Sequence, residues 1–220
     1  MFKSEVFNRS TTNAKIINNH LYNFIIGLSL FWGFAVNWFM VETIPVSAIL
    51  EINPWIFFGG YFASCLIGFF LFNGSDNPIV SFIGYNFVVV PFGLVLTVAL
   101  QNYTEGTIIQ AIQITTIITV TMMILGTLFP SFFQGIAPAL TAALLICIIV
   151  ELVMIFVFGF KAPIMDWIVI ILFCGYVGFD WGRANMIPKT VDNAIDSSAA
   201  LYMDIINIFI RVAAILGGRK

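Results

Sequence analysis

Seven apolar runs, each long enough to cross a lipid bilayer, constrain this chain more than any motif in it. Four carry no charge, at 21–41, 54–72, 79–100 and 107–129. A fifth, 136–158, holds only Glu151; a sixth, 163–179, starts near Asp166 and is closed by Asp180; a seventh begins after Pro188 and runs to Leu216. A span needs roughly 20 apolar residues to cross about 30 Å of hydrocarbon. Because lipid offers the backbone no hydrogen-bond partner, these runs are helices, and they are too long for barrel strands. Composition agrees, with 60% hydrophobic and 9% charged residues among 220 and a mean hydropathy of +1.03. The chain reads as an all-α integral membrane protein of seven transmembrane helices. A polar tail, 1–19, precedes a single domain, 20–220. The tail carries Lys3, Arg9 and Lys15 and lacks the apolar core and small-residue cleavage site of a signal peptide.

Several function classes fall away on composition. A chain filled by seven spans has no room for a soluble catalytic domain, and a net charge of -2 with scattered basic residues provides no track for nucleic acid. Cys65, Cys147 and Cys174 sit in separate spans without C-x-x-C spacing, so they read as small buried side chains and no cofactor is expected. His20, the single histidine, stands at the mouth of the first span as an interfacial residue.

Loop charges orient the chain. With the amino terminus in the cytoplasm, Lys3, Arg9, Lys15, Arg183 and Lys189 lie inside and Lys161, Arg219 and Lys220 outside, placing the carboxyl terminus outside the cell membrane. Glu42, Glu51 and Glu105 then form an acidic outer rim. Gly60, Ser64 and Gly68 recur every four residues in the second span, a small-residue face for close helix approach. Pro91 is expected to kink the third span, Gln110, Gln113 and Thr115 to bond between helices, and Tyr22, Trp55, Tyr103 and Trp167 to sit in interfacial belts.

Two acids stand where a carboxylate is expensive to hold. Asp180 follows the apolar run 167–179, and Asp204 lies inside the apolar run 199–216. A charge at the centre of a span costs about 3 kcal/mol on insertion scales, so such residues face the bundle interior and mark an ion or proton path. The two are 24 residues apart (204 − 180), and the short loop assigned between them, with Gly182 and Pro188, lets consecutive antiparallel spans bring them to one depth. Adjacent carboxylates do not both ionise cheaply; the pair is expected to share a proton and titrate as a unit. It can also offer hard oxygen ligands to Ca²⁺ in transit. At about 100° per residue, Asp204, Asn207 and Arg211 share one face of the last helix. Arg211 lies roughly 10 Å beyond Asp204 along the axis and is read as snorkelling to the outer interface. Glu151 is placed about 10 Å from the outer end of its span. If it lines the path, Glu151→Gln should reduce cation flux.

The carboxyl-terminal stretch resembles the bacterial branch of the Bax inhibitor-1 family, also called the transmembrane Bax inhibitor motif family. The similarity is carried by Phe173, Gly175, Tyr176 and Asp180, by LYMDIINIFIR at 201–211, and by YNFIIGLSLFWG at 22–33 in the first span. The resemblance implies six helices around a central seventh and a pH-sensitive calcium leak across the membrane. It also implies an aspartate pair joining the sixth and seventh helices, at the positions of Asp180 and Asp204. This chain departs from bacterial members that hold the pair with an arginine in the second span, for 54–72 has no basic residue. Two other classes stand beside the leak. One is a non-conducting regulator that binds other membrane proteins. The other is an intramembrane aspartyl protease. The Tyr-Asp and Gly-x-Gly-Asp motifs of such proteases are absent around both aspartates, so the chain is not read as an enzyme.

Overall fold

A computed structural model describes residues 15–160 and 162–218, and among them the ordered elements are helices. In order these are α1 (Asn19–Thr43), α2 (Val46–Leu50), α3 (Pro54–Gly74), α4 (Pro78–Leu100), α5 (Glu105–Leu128), α6 (Pro130–Phe156), α7 (Pro163–Met186) and α8 (Val191–Leu216). Seven are long and apolar enough to cross a membrane. The short α2 was not expected; it follows Pro45 in the connection after α1. Lys3, Arg9, Lys161, Arg219 and Lys220 lie outside the described residues.

Local sequence sets the helix starts. Asn53 and Asn77 cap α3 and α4 by accepting the Trp55 and Ile79 amides, both at 2.9 Å, and Asn18 accepts the Leu21 amide at 2.8 Å. Pro54, Pro78 and Pro130 occupy first-turn positions where the missing N–H costs nothing. Pro91 is inside α4, which continues through it.

The helices form two compact units. The first holds α1 to α4 and the start of α8; the second holds α5 to α7 and the rest of α8. In the first unit α4 packs against both α1 and α3. Only part of the expected small-residue face makes the close crossing of α3 and α4. A methyl at Gly68 would lie 2.6 Å from the Gly84 carbonyl oxygen, and one at Gly84 2.8 Å from that of Gly68. Ser64 donates to the Phe87 carbonyl at 2.7 Å, whereas Gly60 faces open space. Tyr22 departs from its expected belt position: it is fully buried, its hydroxyl lies 3.1 Å from that of Ser197, and Lys189 stands 5.0 Å over its ring. Burial lowers the Lys189 ammonium from its ordinary range. Asn37 donates to the Val89 carbonyl at 2.9 Å and accepts a short hydrogen bond from Tyr202.

In the second unit α5 meets α7 where Gly126 abuts the backbone of Gly178, and α6 lays Phe133 and Leu140 against Gly178 and Gly175. Gln110 and Gln113 are exposed, so they do not bond between helices as expected. Thr115 and Thr119 are buried on the face they share with Gly126, and their hydroxyls have no partner. Trp55 and Trp167 are exposed near span ends, as a belt requires.

Candidate functional site

The aspartates belong to the second unit, and both stand inside helices. α7 runs on to Met186, six residues past Asp180, so Asp180 does not end its helix and Gly182 is helical instead of part of the loop. The connection to α8 is 187–190. Asp204 is buried, with 5% of its surface exposed, and its buried Oδ2 has no hydrogen-bond partner among the described residues. The Asp180 carboxyl is the ionisable neighbour of the Asp204 side chain. Two carboxyl groups bond one another only with a proton between them, since an ionised carboxylate is purely an acceptor.

A cation stands beside Asp180. Arg183 Nη1 lies 3.5 Å from Asp180 Oδ1, one turn along α7. Arg183, an inner loop charge by sequence, is in the last turn of α7, where a basic residue also suits the helix dipole. α3 has no basic residue, and the cation beside Asp180 comes from its own helix. The i, i+3 spacing was the available signal. Tyr176, on the same helix, bonds Thr141 of α6 at 3.1 Å and lies within electrostatic range of both aspartates. Trp181 donates to Thr127 of α5 at 2.8 Å. Asp180 therefore sits on a part of α7 tied to both α6 and α5.

Three further charged groups meet toward the opposite end of α7. Arg211 does not snorkel away. Its Nη1 and Nη2 fork onto Glu151 Oε1 and Oε2 at 2.5 and 2.7 Å, and Nη1 also reaches Asp166 Oδ1 at 2.9 Å. Asp166, near the start of its span, is almost fully buried. Asn207 shares the helix face of Asp204 and Arg211, but its amide donates to the Met203 carbonyl at 2.7 Å and so serves its own helix. Among the described residues no three His, Cys, Asp or Glu side chains are grouped to hold a metal ion.

A stretch of 116 residues is 27% identical to a Helicobacter pylori protein (strain ATCC 700392 / 26695) described as uncharacterized, covering 51% of this chain and 48% of that one. The match thus spans about half the length of that relative. The family model described as Inhibitor of apoptosis-promoting Bax1 matches residues 15–220. Seven apolar helices, an aspartate on each of the last two, and a family match over nearly the whole length lead to one statement: the chain belongs to the Bax inhibitor-1 family.

Proposed function

We propose that this membrane protein is a pH-sensitive calcium leak gated by the Asp180 and Asp204 pair, with its amino terminus in the cytoplasm. What supports the reading is that Asp180 and Asp204 are neighbouring ionisable groups on consecutive spans, Asp204 buried and Asp180 with Arg183 3.5 Å away. A bonded pair sharing one proton carries a single negative charge, which Arg183 beside Asp180 balances, and so forms a compact plug. Loss of that proton leaves two like charges close together in a poorly solvated place, where repulsion is large. The helices that carry them then gain by moving apart or by admitting a cation between them. Ca²⁺ takes six to eight oxygen ligands, so two carboxylates with water suit an ion in passage better than a resident one.

Purified protein in liposomes loaded with a calcium dye, assayed across pH, tests this. The wild-type leak should change with pH, and both Asp180→Asn and Asp204→Asn should flatten that response, because Asn replaces the titrating acid with a neutral bonding partner. The single effects should be non-additive, as for groups in contact. Leak absent at every pH would favour the regulator that binds membrane proteins; cleavage of a transmembrane peptide would favour the protease.

A further inference from the structure

Arg211 ties three helices of the second unit with one side chain. Its guanidinium forks onto Glu151 of α6 at 2.5 and 2.7 Å and touches Asp166 of α7 at 2.9 Å, while its backbone belongs to α8. The fork geometry matters, since a bidentate arginine to carboxylate contact fixes orientation as well as distance. Its location is separate from the aspartate pair. Asp166 and Asp180 are 14 residues apart on α7 (180 − 166), about 21 Å at 1.5 Å per residue. α6 has five residues left after Glu151, and α7 is in its first turn at Asp166, so the contact is made where these two helices end and begin.

We propose that Arg211, Glu151 and Asp166 form a latch that keeps this end of the second unit closed and sets the basal level of the leak. The inference rests on the calcium-leak reading and adds a second control point to it. Chemistry divides the labour between the two. A guanidinium does not lose its proton at any accessible pH, so Arg211 holds its carboxylates while the aspartate pair responds to protons. Release of the latch would separate α6 and α7 from α8 and leave two carboxylates facing the opened end, where they favour a cation. This assigns Glu151 the opposite sign from a path-lining acid: neutralising it should raise the leak.

The test uses full-length protein in dye-loaded liposomes with two variants, Arg211→Gln and Glu151→Gln, plus the exchanged pair Glu151→Arg with Arg211→Glu. A contact that biases a closed arrangement shifts populations by about tenfold for each 1.4 kcal/mol it supplies. Both single variants should therefore leak about tenfold faster at every pH, with the midpoint of the pH response unmoved, and the exchange should bring the rate back toward wild type. A second readout is independent of flux: spin labels at Phe156 and Leu216, both exposed, should report a longer or broader distance in Arg211→Gln than in the protein with its arginine. A wild type that never leaks, together with a widened distance, would remove the leak reading and keep the latch. A leaking wild type with Arg211→Gln leaking no faster, or with Glu151→Gln leaking more slowly, would overturn the latch and leave the leak reading intact.

Discussion

Replacing Gly126 with alanine tests whether α5 and α7 cross as closely as their backbones indicate. A methyl there would lie 3.1 Å from both the Cα and the carbonyl carbon of Gly178, and nearer still to its oxygen. Backbone cannot rotate aside as a side chain can, so the two helices must part by about 0.5–1 Å, at the 1–3 kcal/mol typical of an overpacked core. Helix propensity opposes this, since Ala is favoured over Gly by about 1 kcal/mol. The net expectation is a loss of about 1–2 kcal/mol. Gly178→Ala meets the Phe133 ring, which can shift, and should cost less; Gly60→Ala meets nothing within 4 Å and should be neutral or slightly stabilising. Unfolding in mixed micelles with increasing SDS, followed by tryptophan fluorescence, ranks the three. Gly126→Ala proving as stable as Gly60→Ala would refute the close crossing.

Other expectations follow from the first unit. Ser81→Ala removes the 2.6 Å hydrogen bond to Asp192 and should cost about 1.5–3 kcal/mol as a bond to a charged group, measured by the same unfolding titration. Asn37→Ala should destabilise by about 1–3 kcal/mol, because it leaves both the Tyr202 hydroxyl and the Val89 carbonyl without their partner. Loss below 0.5 kcal/mol in either would show that water replaces the missing group.

Hydropathy made the spans legible because lipid demands long apolar helices and penalises every exception. For the same reason Asp180 and Asp204 stood out, each being an acid within or beside an apolar run. What remained hidden depends on neighbours. The phase of α8 put Arg211 on the face of Asp204 but could not indicate that Glu151 and Asp166, 60 and 45 residues away, would reach it. Gly60 and Gly68 are equivalent in sequence, yet only Gly68 meets another helix, because nothing in a four-residue repeat says where the partner crosses. The first turns of α8, with Asp192, Asn193, Asp196, Ser197 and Ser198, look like loop composition and are buried. Tyr22 looked interfacial for a similar reason: its place near a helix end is visible in sequence, and the polar turns of α8 that cover it are not.

The central claim is that Asp180 and Asp204 hold one proton between them, and infrared difference spectroscopy of the reconstituted protein reads that proton directly. A protonated-carboxyl band should appear and vanish over the pH interval in which calcium entry changes, and each of Asp180→Asn and Asp204→Asn should abolish or displace it. A band that titrates identically in wild type and in both variants, or no titrating band across the interval in which the leak responds, would contradict the account.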